Sequence, residues 1–242
     1  MKTAAVIYGL CCCLLAVAVC IYVACFLKDY FVTKSINRGP AKATAAAIAI
    51  DLGLIAAFGL QHSGMARPTI KRYWKRLIPE PIERSTYVLA SCLAFLLLFA
   101  LWQPLPQAAY SFNEPIAVIP MYGLAVLGLI VGLISVMQLD PLSLLGLRQV
   151  LAFYRGQTPQ SSFQTPGLYR YVRHPLMLGF LLIFWATPNL TLGRLLFNMG
   201  MAAYILLALV WEERDLVREF GKAYEDYQRR VPKILPWGGS RA

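Results

Sequence analysis

The stretch AAVIYGLCCCLLAVAVCIYVACFL, residues 4–27, decides the fold class because it contains no charged side chain. A bilayer core about 30 Å thick needs about 20 apolar residues in a helix that rises about 1.5 Å per residue. The stretch is long for the apolar part of a secretory signal, only Lys2 precedes it, and no clean small-residue cleavage site follows. We therefore predict a retained membrane-spanning helix at the start of the chain.

Further apolar segments follow along the chain. They are residues 43–62, 86–103, 116–138, 176–186 and 195–211. The turn-forming residues Thr187-Pro188-Asn189 separate the last two segments, which is typical of a helical hairpin. The sequence thus predicts an all-α integral membrane protein with five to six transmembrane helices, in which the last two apolar arms form a hairpin.

The composition agrees with a membrane protein and excludes several other classes. Of the 242 residues, 58% are hydrophobic and 14% are charged, whereas soluble domains have about 25% charged residues. Disorder, a collagen repeat and a secreted disulfide scaffold are excluded. The six cysteines lie inside apolar runs, so neither a disulfide framework nor a metal site is predicted. No repeat or linker divides the chain, which predicts a single domain over residues 1–242.

The net charge of +11 indicates orientation in a membrane rather than nucleic-acid binding. Basic residues are frequent in residues 67–84, in the loop 139–173 and in the tail after Trp211, whereas residues 104–115 contain none. Positive residues favour the cytoplasmic side, which predicts a multi-pass protein of the bacterial inner membrane with these three segments in the cytoplasm. The basic first loop contradicts this pattern.

Polar side chains concentrate in three places at the predicted cytoplasmic ends of the spans: residues 61–64, 167–179 and 211–236. Neither GxGxxG nor GxxxxGK[ST] occurs, so a Rossmann or P-loop domain is not supported. A hairpin brings its two open ends together, which should place Arg173-His174 beside Glu212-Glu213. A salt-bridge network and a cofactor site would both satisfy this arrangement.

The last third of the chain contains Gly167-x-Tyr169-x3-Arg173-His174-Pro175-x3-Gly179, followed by Glu212-Glu213, Phe220-Gly221-x2-Tyr224-x2-Tyr227 and Pro236. This pattern resembles the isoprenylcysteine carboxyl methyltransferases. In that family these segments fold over S-adenosylmethionine at the cytoplasmic face. The resemblance implies a cofactor-binding region over residues 164–236, with the tail capping the site. The cofactor-binding residues that it implies are Tyr169, Arg173, His174, Pro175, Gly179, Glu212, Glu213 and Tyr224. Met177 departs from the family, which often has tyrosine there.

Within this resemblance, Glu213 is assigned to the ribose hydroxyls, with Glu212 as the alternative. Arg173 and His174 are assigned to the cofactor's carboxylate or neighbouring polar groups, and Arg173 is also counted among the catalytic residues. The tyrosines would close over the cofactor, because aromatic faces suit a sulfonium cation.

The front half resembles a bacterial membrane family that contains methanethiol S-methyltransferase and NnrU-like proteins. The similarity lies in residues 61–68, QHSGMARP, and residues 79–87, PEPIERSTY. It implies methyl transfer from S-adenosylmethionine to methanethiol, which gives dimethyl sulfide, with lipids as the other partners. Other small-thiol or isoprenylcysteine-type methyl transfer, an NADPH-dependent membrane reductase and a non-catalytic NnrU-like protein remain alternatives.

The chain has two histidines, and His62 is the better candidate for the base that removes the thiol proton. Small thiols are mostly protonated at neutral pH, since free cysteine has a pKa of about 8.5. A cap at the end of a helix is the alternative interpretation of His62. Asp51 shares a helical face with His62 but lies about 16 Å away along the axis, so we expect it to make a structural polar contact.

Overall fold

The computed structural model describes residues 2–157 and 163–236, and the regular secondary structure of these residues is almost entirely helical. The helices are α1 (Lys2–Lys28), α2 (Thr44–Ala66), α3 (Pro68–Trp74), α4 (Glu80–Leu101), α5 (Pro115–Gln138), α6 (Pro141–Leu144), α7 (Leu147–Arg155), α8 (Pro175–Trp185), α9 (Leu192–Phe220) and α10 (Lys222–Arg230). A 3₁₀ turn covers Gly167–Arg170, and the strands are β1 (Ala108–Ser111) and β2 (Asn189–Thr191).

Five of these helices, α1, α2, α4, α5 and α9, are long and apolar enough to cross a membrane. Helix α8 is equally apolar but has only 11 residues. The prediction of an all-α, multi-pass membrane protein with five to six transmembrane helices is therefore confirmed.

The helix boundaries follow largely from proline and glycine. Helices α3, α4, α5 and α8 each have a proline in their first two positions, where the missing N–H costs no hydrogen bond. Helix α9 extends nine residues beyond the last predicted apolar position, Trp211. It ends before Gly221, whose φ of 56° is easily adopted only by glycine and separates α9 from α10.

The chain divides into two compact units. The first contains residues 1–109, 142–160 and 190–204, and the second contains residues 110–141, 161–189 and 205–242. Helix α9 belongs to the first unit up to Tyr204 and to the second from Ile205 onward. The single domain predicted over residues 1–242 stays a prediction.

In the first unit, α4 packs against α1 and α2, and α7 packs against α1 and α4. The core includes the rings of Phe26 and Phe99, whose centroids lie 4.9 Å apart, and Trp102, whose Nε1 donates to the Ile36 carbonyl at 3.2 Å. Asp51 is fully buried, and its Oδ1 accepts the backbone N–H of Gln103 at 2.8 Å. This bond agrees with the structural polar contact expected for Asp51.

In the second unit, α5 packs against α8 at closely approaching glycines. A Cβ on Gly179 of α8 would lie 2.8 Å from the Gly128 carbonyl oxygen and 2.9 Å from the Gly132 nitrogen, both in α5. Backbone atoms cannot rotate away as side chains do. Gly179 therefore lies where only glycine allows the two helices to approach this closely.

We predict that Gly179→Ala destabilises the protein by about 1–3 kcal/mol, the usual cost of overpacking. The measurement is thermal unfolding of the purified protein in detergent. Gly123→Ala is the matched control, because no atom lies within 4 Å of a Cβ built on this glycine of α5. Equal stability of the two variants would contradict the packing interpretation.

The two short strands were not predicted. They pair antiparallel, since the Leu192 N–H donates to the Gln107 carbonyl at 2.8 Å and the Phe112 N–H donates to the Pro188 carbonyl at 3.0 Å. Both strands are shorter than five residues, so they show too little alternation of apolar and polar residues to be recognised in the sequence.

Candidate active site

The open ends of the α8–α9 hairpin meet at a buried ion-pair network. Arg173 and His174 come directly before α8, and Glu213 lies on α9, after the apolar part of that helix. Glu213 Oε1 accepts from Arg173 Nε at 2.7 Å and lies 3.2 Å from His174 Nε2. His174 and Glu213 are 8% and 6% exposed. The hairpin therefore brings these three residues together as predicted.

Lys233 completes this network and was missed by the sequence analysis. Its Nζ lies 2.9 Å from Glu213 Oε2, so both carboxylate oxygens of Glu213 contact basic groups. Lys233 could hardly be recognised in the sequence, because it follows Arg229 and Arg230 in a tail of mixed charge. We call Arg173, His174, Glu213 and Lys233 the ion cluster.

The tail is fixed to the hairpin end by backbone and side-chain hydrogen bonds. The backbone N–H groups of Arg173 and His174 donate to the carbonyls of Pro232 and Lys233 at 2.9 and 3.0 Å. Arg173 Nη1 donates to the carbonyls of Gln228 and Val231, at 2.7 and 2.9 Å. Carbonyls at the C-terminal end of a helix such as α10 lack partners within the helix and favour a cation. Arg173 thus holds both Glu213 and the end of α10.

An aromatic cluster forms around Phe163 at the start of the tail helix α10. Phe163 contacts the rings of Phe220, Tyr224 and Tyr227 with centroid distances of 5.3, 5.6 and 5.5 Å. The Tyr227 hydroxyl donates to the Tyr169 carbonyl. The predicted residues Tyr169 and Tyr224 therefore both lie close to Tyr227 of α10.

The hydroxyls of these tyrosines stay protonated at cellular pH. Burial raises the pKa of Tyr227 to about 12. Burial also raises the pKa of Tyr224, together with the negative charge of Glu213, and that of Tyr169, together with the charge of Glu212. These residues can provide aromatic faces and hydrogen-bond donors, but they are poorly suited to act as bases near neutral pH.

A cleft of about 430 Å³ opens beside the ion cluster within the second unit. Its lining combines apolar and charged side chains: Val210, Glu213, Arg214, Val217, Arg218, Gln228 and Lys233. The volume lies in the range of small-molecule sites, which are about 300–1,000 Å³. Two members of the ion cluster thus face a space large enough for a small ligand.

The remaining predicted cofactor residues have different surroundings. Pro175 is the first residue of α8 and is buried, and Gly179 packs on α5 as described above. Glu212 is exposed, whereas its neighbour Glu213 is buried within the ion cluster. This contrast favours Glu213 over Glu212 as the structural centre of the site. The cofactor contacts of all these residues stay predictions.

His62 belongs to the first unit and contacts two residues that the sequence analysis did not select. Its Nδ1 lies 2.9 Å from Ser91 Oγ, and its Nε2 lies 2.9 Å from the Tyr87 hydroxyl. The ring stacks on Phe58, with a centroid distance of 5.3 Å. Tyr87 and Ser91 lie one helical turn apart on α4, and that spacing on an apolar helix was the available signal.

Known proteins resemble this chain over most of its length. The family described as NnrU protein matches residues 52–239. The chain belongs to the NnrU family. The family predicted from the motifs is thereby confirmed.

Several relatives of this NnrU-family protein carry a name that states a reaction. Methanethiol S-methyltransferase 2 of Bradyrhizobium diazoefficiens is 47% identical over 217 residues, which are 89% of this chain and 83% of the relative. Methanethiol S-methyltransferase of Crocosphaera subtropica is 40% identical over 243 residues, 100% of this chain and 95% of the relative. Its namesake in Mycobacterium tuberculosis is 42% identical over 217 residues, 89% of each chain. No solved structure matches the chain significantly.

Proposed function

We propose that this NnrU-family protein is an enzyme that methylates methanethiol to dimethyl sulfide with S-adenosylmethionine as methyl donor. One observation supports this function above all. Relatives named methanethiol S-methyltransferase are 40–47% identical to the chain over 89–100% of its length. The same proposal explains why a multi-pass membrane protein maintains a buried ion cluster beside an open cleft.

The side chains of the second unit fit the chemistry of the proposed methyl donor. S-adenosylmethionine has a carboxylate, an ammonium group, ribose hydroxyls, an adenine ring and a sulfonium cation. Arg173 and Lys233 are cations that suit the carboxylate, and Glu213 is an acceptor that suits the ribose hydroxyls or the ammonium group. The aromatic rings of Tyr169 and Tyr224 suit the adenine ring and the sulfonium.

When bound, S-adenosylmethionine supplies an already activated methyl group, so the protein has two tasks. It must hold donor and acceptor in line, and it must convert the thiol to the more nucleophilic thiolate. The ion cluster serves the first task, because its members are fixed by one another before any ligand enters. His62 is the proposed proton acceptor for the second task.

The direct test is dimethyl sulfide formation by the purified protein in lipid nanodiscs, supplied with S-adenosylmethionine and methanethiol. We expect dimethyl sulfide in the headspace and an equal amount of S-adenosylhomocysteine in solution. A protein that binds S-adenosylhomocysteine but yields no dimethyl sulfide would point to another thiol or an isoprenylcysteine-type acceptor. Stabilisation by NADPH alone would indicate a reductase, and stabilisation by neither ligand would favour a non-catalytic protein.

We further propose that the ion cluster faces the cytoplasm of a bacterial inner membrane. Three basic segments support this orientation, and the structure accounts for part of the basic first loop that contradicts it. Lys34 Nζ donates to the Ala100 carbonyl near the end of α4, and Arg38 donates to the Asp29 carbonyl. These two cations bond to backbone carbonyls of the protein itself, which explains their position without reference to a side of the membrane.

A reporter fused after Ala242, or inserted near Trp74, is expected to behave as a cytoplasmic protein. A green fluorescent protein fusion should fluoresce, and an alkaline phosphatase fusion should be inactive, because the phosphatase needs the oxidising periplasm to form its disulfides. A pair of fusions near Ala109 should give the opposite result, since residues 104–115 contain no Lys or Arg. Phosphatase activity from the tail fusion would reverse the proposed orientation.

A further inference from the structure

Tyr87, His62 and Ser91 form a continuous hydrogen-bonded chain in the first unit. Tyr87 OH lies 2.9 Å from His62 Nε2, and His62 Nδ1 lies 2.9 Å from Ser91 Oγ. Ser91 Oγ in turn donates to the backbone carbonyl of Tyr87 at 3.0 Å, one turn earlier in α4. Two residues of α4 therefore contact opposite nitrogens of one imidazole on α2.

This arrangement determines the position of each proton. A serine hydroxyl has one hydrogen, and that of Ser91 is used in the bond to the Tyr87 carbonyl. Ser91 Oγ can then only accept from His62, so Nδ1 has the proton. A neutral imidazole has a single N–H, which leaves a lone pair on Nε2 to accept from the Tyr87 hydroxyl. A proton that travels to His62 along this chain enters through the Tyr87 oxygen.

Aromatic neighbours keep the imidazole in this orientation. Phe58 stacks on the ring with an interplanar angle of 24°, and Tyr204 meets it edge-on at 77° with a centroid distance of 6.4 Å. The Arg84 guanidinium lies 4.8 Å from the centroid of the Tyr87 ring. A cation over the ring withdraws electron density from the phenol oxygen, which makes the hydroxyl a better proton donor to Nε2.

We propose that Tyr87 passes the thiol proton to His62 and that Ser91 is a positioning residue that fixes the His62 tautomer. This inference rests on the proposed methyl transfer to a small thiol. The thiol S–H bond breaks and its proton bonds to the Tyr87 oxygen, while the Tyr87 O–H bond breaks and its proton bonds to His62 Nε2. The electron pair stays on sulfur, so a thiolate and an imidazolium form with no other reactant.

The kinetic test compares Tyr87→Phe, His62→Ala and the double variant, with kcat and KM for methanethiol measured separately. We expect Tyr87→Phe to lower kcat by about the factor seen for His62→Ala, within the range of about 10²–10⁴ typical of a positioned base. The double variant should be no slower than either single variant, because the residues act in series. A Tyr87→Phe enzyme with unchanged or raised kcat would overturn the proposal. Tyr87 would then only form a hydrogen bond to the lone pair of His62 Nε2, without transferring a proton.

Ser91 is tested by rescue. Ser91→Ala should lower kcat with little change in KM, and Ser91→Thr should restore most of the loss, because threonine can also bond the carbonyl one turn earlier in a helix. Tyr73→Phe and Ser135→Ala are matched controls that should keep full activity. Tyr73 is an exposed tyrosine, and Ser135 makes the same one-turn bond, to the Val131 carbonyl of α5. Failure of threonine to rescue Ser91→Ala, beside active controls, would contradict the positioning function.

The proton positions have a readout that does not depend on activity. The chain has only two histidines, so ¹⁵N-labelled imidazole signals can be assigned by their loss in His62→Ala. We expect His62 as the Nδ1–H tautomer in the wild type, and as a mixture or the Nε2–H tautomer in Ser91→Ala. An Nε2–H tautomer in the wild type would overturn the inference. A wild type with the expected tautomer but no methyl transfer would instead refute the proposed function.

Discussion

Replacing His62 with alanine is expected to lower the rate of dimethyl sulfide formation by about 10²–10⁴ near neutral pH, while S-adenosylhomocysteine affinity stays nearly unchanged. The physical reason is that a small thiol is mostly protonated at this pH, and the proposed base is lost. The imidazole also joins Tyr87 and Ser91, so its removal interrupts the hydrogen-bonded chain. The measurement is the initial rate at saturating S-adenosylmethionine, with calorimetric titration of S-adenosylhomocysteine in parallel.

The pH dependence distinguishes a lost base from a lost structural contact. As pH rises, the solvent supplies a larger fraction of thiolate, so the missing base matters less and the defect of His62→Ala should shrink. A structural defect would not recover in this way. A His62→Ala enzyme with the wild-type rate near neutral pH would show that His62 only caps the end of its helix.

His174→Ala should behave differently and lose S-adenosylhomocysteine affinity as well as rate, because His174 contacts Glu213 in the ion cluster.

Much of the fold could be predicted because a membrane simplifies the problem. Every backbone polar group inside a bilayer must be bonded within the protein, so long apolar segments become helices. Residues 4–27 and 116–138 therefore correspond closely to α1 and α5. The predicted span 86–103 was less accurate, because α4 begins at Glu80 and ends at Leu101. Polar residues can extend a helix beyond the bilayer, and hydropathy does not detect that extension.

The ion cluster was predictable only in part. The contact between Arg173 and Glu213 follows from hairpin geometry, since Arg173 lies just before α8 and Glu213 lies just after the apolar segment 195–211 of the other arm. Lys233 joins the cluster because Pro232 and Lys233 accept backbone hydrogen bonds from Arg173 and His174. The tail packs back against the start of α8 through individual backbone hydrogen bonds, and such bonds cannot be predicted from the periodicity of the sequence.

The partners of His62 could not be predicted for a similar reason. Tyr87 and Ser91 lie 25 and 29 residues from His62, on a different helix. Helical spacing places Tyr87 and Ser91 on one face of α4, but it does not determine which face of α2 that surface meets. Only the packed helices identify the hydroxyls that contact each nitrogen of the imidazole.

Glu213 is the second residue whose replacement should have a large effect. Its carboxylate contacts Arg173, His174 and Lys233 while only 6% exposed, so neutralising it leaves the largely buried Arg173 guanidinium without its counter-charge. Removing one partner of a buried pair typically costs about 3–5 kcal/mol. We therefore expect Glu213→Gln to lower the thermal stability of the protein in detergent, even though the side chain keeps its shape. Glu219→Gln is the matched control, because Glu219 is exposed on the same helix.

Glu213→Ala should also weaken S-adenosylhomocysteine binding by about ten- to a hundred-fold, because a hydrogen bond to a charged group contributes about 1.5–3 kcal/mol. Calorimetric titration of the folded variant measures this loss, and Glu212→Ala decides between the two candidate carboxylates. A loss in Glu212→Ala with none in Glu213→Ala would move the ribose contact to the exposed neighbour. Unchanged affinity in both variants would leave Glu213 as the centre of a salt-bridge network that only fixes the tail. The ion cluster would then stabilise the hairpin end, and the ribose hydroxyls would need another acceptor in the cleft.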